Sequence, residues 1–197
     1  MSKADPAAEK KARKKAVKWV ITIFLVTIII SGTISLVSDI VMEGSNIVVA
    51  FLILLAIIFV GIVFDIIGMA VATADEKPFH SMASRKVPGA QESIRLLRNA
   101  ERVSSICNDV VGDICGVVSG SASATIAVQV ISNFEFSWPQ VVSLAMSSLA
   151  AGLTVGGKAI GKTFAVNSCT KIVHTVGRMI FTLRHFPDVF RKKKNKR

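Results

Sequence analysis

Long runs of apolar residues alternate with short polar segments along this chain. The first run covers residues 19–42 and has no charge before Asp39, and the second covers residues 47–74 with Asp65 as its only charge. A helix of about 24 residues reaches ~35 Å, which exceeds the ~30 Å hydrocarbon core of a bilayer. Both runs predict membrane-spanning helices, and the length of the first favours a retained helix over a cleaved signal peptide.

Two further apolar runs are weaker. Residues 106–131 carry Asn108, Asp109 and Asp113 among small residues, and residues 141–155 are rich in Ser, Ala and Gly. The last run extends to residue 160 if the Lys158 side chain snorkels to the membrane surface. The pattern therefore predicts four crossings.

The segments outside these runs have helical periodicity of their own. Residues 75–105 are polar, and their second half separates Ile94, Leu97 and Val103 from three arginines, as in a helix that lies on lipid headgroups. Residues 161–187 predict an amphipathic juxtamembrane helix that ends near Pro187, and residues 188–197 form a basic tail. The predicted fold class is all-α: a polytopic membrane helical bundle with a basic N-terminal tail (1–18), a transmembrane domain (19–160) and these two C-terminal segments.

Charge placement orients the bundle. The chain has 197 residues, 51% of them hydrophobic, with 24 Lys and Arg against 13 Asp and Glu. Residues 1–18, 75–105 and 158–197 hold 7, 6 and 11 of the basic residues, which is all 24, and the two predicted outside loops hold only acidic ones. This is the positive-inside bias, so we expect a multi-pass protein of the cell membrane with both termini in the cytoplasm.

The same composition limits the partners. Such hydrophobicity excludes a disordered chain, and a basic chain with long uncharged runs fits a membrane rather than nucleic acid. We expect the bilayer itself as the main partner, with anionic lipid headgroups at the basic tails. An equally good explanation is that the tails are disordered and that their positive charge only fixes the orientation of the protein in the membrane.

Residues 156–163 (GGKAIGKT) match the P-loop pattern GxxxxGK[ST]. In that motif a strand precedes the loop and an acidic residue helps to hold magnesium, but here a membrane helix precedes it and Asp188 is the only later acid. We therefore expect no nucleotide site, no organic cofactor and no enzymatic activity.

Acidic residues within predicted spans are more informative. A carboxylate near the bilayer centre costs about 3 kcal/mol, so such residues usually face a protein interior or an aqueous cavity. Asp65, Asp109 and Asp113 could converge as oxygen ligands for a hard divalent cation, with Asn108 and Ser119 as neutral helpers. The alternative is that these carboxylates cap helix ends or pair with Lys158 and Arg102. Gly112, Gly116 and Gly120 form a ladder on the same helix, which predicts close helix packing.

Three stretches of this chain resemble the membrane domain of the CorB/CorC and CNNM magnesium-transport family. Residues 64–70 (FDIIGMA) resemble its FFSAxEMA stretch, residues 95–102 (RLLRNAER) resemble LLxNPER, and residues 157–163 (GKAIGKT) resemble GEIIPKT. The resemblance implies a dimeric transmembrane domain that binds Mg²⁺ between helices, with a juxtamembrane helix after the last span. It covers roughly two-thirds of the chain, and the family's cytosolic nucleotide-sensing domains have no counterpart in it.

The departures from the family pattern concern charge. The two family glutamates fall at Gly68 and Lys158, and the family proline falls at Gly161. Asp65 lies one helical turn before Gly68 on the same face, so either the acidic groups are relocated or Asp65 pairs with Lys158.

Two functional hypotheses follow from these observations. The first is a divalent-cation transporter-type domain for Mg²⁺ or Co²⁺, working as a homodimer. The second is a non-transporting regulatory or scaffold subunit with a degenerate ion site, which would act through a partner chain.

Overall fold

The structure, a computed structural model, describes residues 6–43, 45–134 and 138–194. Its elements are α1 (Pro6–Glu43), α2 (Ile47–Thr73), α3 (Lys77–Ser84), α4 (Ala90–Arg98), α5 (Ala100–Ser105), a π-helix (Ile106–Gly112), α6 (Asp113–Phe134), α7 (Pro139–Asn167) and α8 (Cys169–Lys194). The described residues contain no strand. The predicted all-α fold class is confirmed.

Four helical segments are long and apolar enough to cross a membrane. They are Val17–Met42, Ile47–Thr73, Ala100–Phe134 and Pro139–Asn167. Helices suit a bilayer because each satisfies its backbone hydrogen bonds within its own segment. The chain is therefore a membrane-embedded bundle of four apolar helices, with short helices at one end.

The bundle core lies along α2, which packs against α6 and α7. Away from the short helices, one apolar cluster joins the end of α1 to the starts of α2 and α7 and the end of α6, with Leu54 and Ile126 almost fully buried. A second cluster around Val110, Ile114 and Val118 is covered by Ile23 of α1. Most apolar side chains of α1 remain exposed, as expected for a helix on the lipid side of a bundle.

The short helices pack on the end of α2 that follows Asp65. Phe79 of α3, Leu97 of α4 and Val173 of α8 share one apolar cluster with Val71 of α2. The turn from α3 to α4 ends at Gly89, whose φ of +88° is one that glycine adopts without strain. A Cβ at this position would lie 2.6 Å from the Arg178 backbone, so glycine also lets α8 pack close to the turn.

Several element boundaries differ from the sequence prediction. No break occurs at residue 160, because α7 continues to Asn167 and α8 starts at Cys169. The last helix continues past Pro187 to Lys194, and α1 begins at Pro6 within the basic tail. Residues 195–197 of the C-terminal tail lie outside the described residues. The boundaries moved outwards because charged residues extend a helix as readily as apolar ones do.

Candidate functional site

Gly68 lets the π-helix approach α2 closely. A Cβ built on Gly68 would lie 2.1 Å from Asn108 Oδ1 and 3.0 Å from Cys107 Cβ, so no larger residue fits without movement. The Asn108 amide therefore occupies the space that a side chain at position 68 would need. By the family resemblance, this is the space where a glutamate would project.

The π-helix at Ile106–Gly112 interrupts the third apolar helix. Its wider turns are rare in proteins and are frequently found at functional sites. In this segment Asn108 is half-buried, whereas its neighbour Asp109 is exposed. The π-helix thus turns the amide, and not the carboxylate, towards α2.

Asp65 is a buried carboxylate on α2, with 5% of its surface exposed. Its Oδ1 lies 4.0 Å from Lys158 Nζ of α7. Its Oδ2 is buried and has no hydrogen-bond partner among the described residues. One half of the carboxylate therefore faces a cation, and the other half is an acceptor left unsatisfied.

Lys158 points into the bundle instead of snorkelling to the surface, so that part of the prediction is wrong. Its Nζ donates to the Gly112 carbonyl oxygen at 3.4 Å, and its side chain is 21% exposed. The neighbouring glycines explain why the Lys158 side chain points into the bundle. Cβ atoms at Gly157 and Gly161 would lie 2.2 Å from Ile62 Cδ1 and 2.8 Å from Ile66 Cγ1, so α7 packs on α2 through glycine and directs Lys158 towards Asp65.

Asn108 brings a second unsatisfied acceptor to this region. Its Nδ2 donates to Ser104 Oγ at 3.2 Å, while its Oδ1 is buried without a hydrogen-bond partner in the described part of the chain. Buried polar atoms are rarely left unpaired, and each exception needs an explanation such as an unseen water or ion. Asn108 lies against Gly68, which is one helical turn after Asp65 on α2. We call the group formed by Asp65, Lys158 and the Gly112 carbonyl, with Asn108 one turn along α2, the α2–α7 polar site.

The other predicted ligands lie elsewhere. Asp109 is exposed and its Oδ2 accepts a hydrogen bond from Ser105 Oγ at 2.8 Å, and Asp113 is also exposed. Ser119 is buried but donates to the Gly116 carbonyl oxygen at 2.9 Å. Within the described ranges no three His, Cys, Asp or Glu side chains group as a metal site, so the expected convergence of the three carboxylates is not seen.

Asp109 instead lines a shallow depression beside the polar site. Glu101, Ser104 and Ala72 also line this cavity of about 370 Å³. Ser104 is the residue whose hydroxyl accepts from Asn108, so the depression and the polar site share a wall. Two carboxylates give the depression negative charge.

The predicted glycine ladder is only partly a packing surface. A Cβ on Gly112 would contact Lys158 Nζ at 3.4 Å, but Cβ atoms on Gly116 and Gly120 would meet nothing within 4 Å in the described chain. Only the first glycine of the three packs within the bundle. The others leave an open strip next to exposed Asp113.

Residues 156–163 lie inside α7. A P-loop needs free backbone amides that curve around a phosphate, whereas amides within a helix bond to carbonyls one turn earlier. The sequence match therefore reflects glycines that pack against α2, flanking a lysine that reaches Asp65.

Sequence reasoning treated the Asp65–Lys158 pair as one of two alternatives, and the distance between them favours it over a relocated acidic cluster. It missed the π-helix and the unsatisfied Asn108 oxygen. The signal available in the sequence was a glycine at position 68 in the second apolar run together with the polar Asn108 in the third run, a combination that allows close packing of the two helices.

Comparison of the chain with protein-family models, with curated proteins and with solved structures finds no match in any of the three. The likeness to the CorB/CorC and CNNM family stays a prediction.

Proposed function

We propose that this protein is a transporter-type membrane domain for a divalent cation, Mg²⁺ or Co²⁺, which binds at the α2–α7 polar site. The observation that supports this most directly is the pair of buried, unpartnered acceptors, Asp65 Oδ2 and Asn108 Oδ1. Hard divalent cations prefer oxygen ligands, and Mg²⁺ keeps several waters while using one or two carboxylates. Asp65, Asn108 and the Gly112 carbonyl offer such a set.

In this proposal Lys158 is a tethered cation that competes for the site. Its ammonium group neutralises Asp65 while no ion is bound, which lowers the cost of burying a lone carboxylate. An entering divalent cation displaces the ammonium, and the long flexible lysine side chain withdraws. Lys158 thereby sets the affinity of the site and prevents tight trapping of the ion.

Asp109 has a different role from the one that the sequence analysis gave it. It lies with Glu101 at the depression beside the polar site, where two carboxylates raise the local concentration of cations. Asp113 and Ser119 have no assigned contact with the ion in this arrangement.

The matched variants Lys158→Met and Lys162→Met test the proposal. Removing the ammonium leaves Asp65 buried and unpaired, so we expect the free energy of unfolding to fall by about 3 kcal/mol. This value is at the lower end of the range for buried ion pairs because the Lys158 side chain is 21% exposed. Mg²⁺ should restore the melting temperature of Lys158→Met in detergent by taking the vacant position. Lys162 is exposed on the same helix, and its variant should behave as the wild-type protein.

A carboxylate-free variant completes the test. In Asp65→Asn combined with Lys158→Met, Mg²⁺ should give no stabilisation, and Asp65→Asn alone should abolish Mg²⁺ uptake into proteoliposomes. Equal Mg²⁺ responses of Lys158→Met and the double variant would refute the proposal.

The second candidate is a non-transporting regulatory or scaffold subunit, in which Asp65 and Lys158 form a purely structural ion pair. The observation that favours it is their 4.0 Å separation, together with the absence, among the described residues, of any group of three His, Cys, Asp or Glu side chains that could hold a metal. Removing both charges of a buried pair leaves no uncompensated charge, unlike removing only one. This candidate therefore predicts that the double variant regains stability while Mg²⁺ fails to rescue Lys158→Met.

The proposal includes a homodimer. The strip formed by Gly116 and Gly120 is open in the described chain, and small residues allow helices in lipid to approach closely. A second copy packed there would cover Asp113, which lipid alone would leave unpaired. The proposal also includes binding of anionic lipid headgroups by the basic tails.

A further inference from the structure

A cavity at the end of the bundle, away from the α2–α7 polar site, carries concentrated positive charge. Its volume is about 490 Å³, and it lies between α4, α8 and the α3–α4 turn. The charged residues that line it are Lys86, Arg95, Arg184 and Glu92. Three cations and one carboxylate leave two net positive charges.

Glu92 holds the two arginines in place. It is 8% exposed, and its Oε1 accepts from Arg95 Nη1 at 2.9 Å and from Arg184 Nη1 at 3.1 Å. A guanidinium has five N–H donors, so these bonds leave most donors of each arginine available. The carboxylate thus serves as a buried anchor that orients two guanidinium groups at the rim of the cavity.

Lys86 adopts an unusual backbone conformation at the cavity. Its φ is +56°, the left-handed region, which only this non-glycine residue adopts in the described chain. It ends α3 with two hydrogen bonds, Lys86 N to Ala83 O and Val87 N to Met82 O, both at 3.0 Å, a turn in which glycine is the usual residue. Strained residues of this kind cluster at ligand sites. A lysine at this position is less favourable for the backbone than glycine, but it places a cation at the cavity.

The start of α4 adds a third feature. This nine-residue helix begins after Gly89, an N-cap residue without a side chain that could satisfy the first-turn amides. Gly89 and Gln91 line the same cavity. Amides and the helix dipole at a helix N-terminus attract anions, and they reinforce the three basic side chains.

We propose that this cavity binds a phosphoryl group, and that its source is the headgroup of an acidic phospholipid. Planar guanidinium groups and helix amides match phosphate oxygens in geometry and charge. Two apolar residues of α8, Met179 and Leu183, are 60% and 74% exposed beside Arg184, as expected for a helix that rests on lipid. The cavity would thereby anchor α8 to the membrane surface at one defined lipid.

The experiment uses the full chain, delipidated in a mild detergent, with three probes. These are short-chain phosphatidylglycerol, phosphatidylcholine of the same chain length, and inorganic phosphate. We expect phosphatidylglycerol to bind and phosphatidylcholine to bind at least fivefold more weakly, with inorganic phosphate competing at higher concentration. If inorganic phosphate binds as tightly as phosphatidylglycerol, the phosphoryl site stands and the lipid source is overturned.

The variants Lys86→Gly and Arg184→Gln assign binding to the cavity. Each removes one charge and should weaken phosphatidylglycerol binding about fivefold. Lys86→Gly also relieves the left-handed strain, so it should melt at or above the wild-type temperature, and misfolding cannot explain the loss. The matched control is Arg98→Gln, because Arg98 is an exposed arginine of α4 that does not line the cavity. Wild-type affinity in Lys86→Gly, or equal loss in Arg98→Gln, would overturn the proposal.

Discussion

At the scale of single residues, Gly68 decides how close the π-helix comes to α2. Its missing side chain leaves room for the Asn108 amide, whose oxygen would be 2.1 Å from a Cβ at that position. The contact matters because Asn108 Oδ1 is one of the two buried acceptors on which the proposed ion site depends. A single methyl group can therefore separate the two helices that form the site.

We expect Gly68→Ala to destabilise the protein by about 1–3 kcal/mol, because the added methyl overpacks the interface with Asn108. Thermal unfolding in detergent measures this change. The control is Gly152→Ala in α7, at which a Cβ meets nothing within 4 Å in the described chain and which lies outside the proposed dimer strip. It should be neutral or stabilise by up to about 1 kcal/mol through helix propensity. Similar losses in both variants would contradict the assigned contact.

Asp65 and Lys158 illustrate why residue identity alone does not fix a role. Both are charged residues in apolar helices, and each is tolerated because the other lies 4.0 Å away. Asp109 and Asp113 are of the same type but lie at the surface of the chain. The burial of one carboxylate out of three makes Asp65 the residue whose substitution tests function.

At the scale of elements, the π-helix sets the rotation of everything before it relative to α6. Its seven residues, Ile106–Gly112, shift the helical phase compared with a regular α-helix. Asn108 therefore faces α2 while Gly112 reaches Lys158 of α7. The same segment thus contributes an amide and a carbonyl to the polar site.

Deleting Val111 should remove the extra residue and convert the π-helix to a regular α-helix. Loss of the wide turn would displace Asn108 and Gly112, which the π-helix holds against α2 and α7. We expect a markedly lower melting temperature and loss of any Mg²⁺ response. The register-preserving variant Val111→Ala should lose only about 1 kcal/mol as a half-buried side chain. A deletion variant as stable as Val111→Ala would contradict a role for the π-helix.

At the scale of the whole molecule, charge and packing divide the chain into two ends. The short helices α3 and α4 and the helix α8 gather at the end of α2 that follows Asp65, and the α1–α2 connection lies at its other end. The α1–α2 connection holds no Lys or Arg, whereas residues 75–105, which include the short helices, hold six. This arrangement underlies the expected orientation in the cell membrane.

We predict that Asn46→Cys is labelled by a membrane-impermeant maleimide in intact cells. Arg98→Cys should be labelled only after permeabilisation, because Arg98 lies on α4 at the opposite end. Both positions are exposed, so accessibility within the protein does not limit the reaction. The wild-type chain, with Cys107 and Cys115 buried and Cys169 partly exposed, measures the background labelling. Labelling of both positions in intact cells would contradict the proposed topology.

The predicted fold rested on apolar runs, and these correctly located all four apolar helices. Their ends were less predictable: α7 continues through Lys162 to Asn167 because a helix does not stop where hydrophobicity stops. The candidate site was less predictable still. The sequence identified Asp65 and Asn108 as candidates together with Asp109 and Asp113. It did not show that Asn108 turns inwards while Asp109 and Asp113 are exposed, because this depends on a π-helix that has no sequence signature.

The amino-acid sequence by itself determined that the chain forms four apolar helices and that the segments near residues 39–46 and 132–140 hold no Lys or Arg. The physical reason is that a bilayer requires each crossing to satisfy its own backbone and penalises charge locally, so both constraints act residue by residue. Only the tertiary structure decided that Asp65 meets Lys158 and that Lys86, Arg95 and Arg184 share a cavity. Those groups are brought together by helix rotation and close packing at glycines, which depend on contacts between residues far apart in the chain.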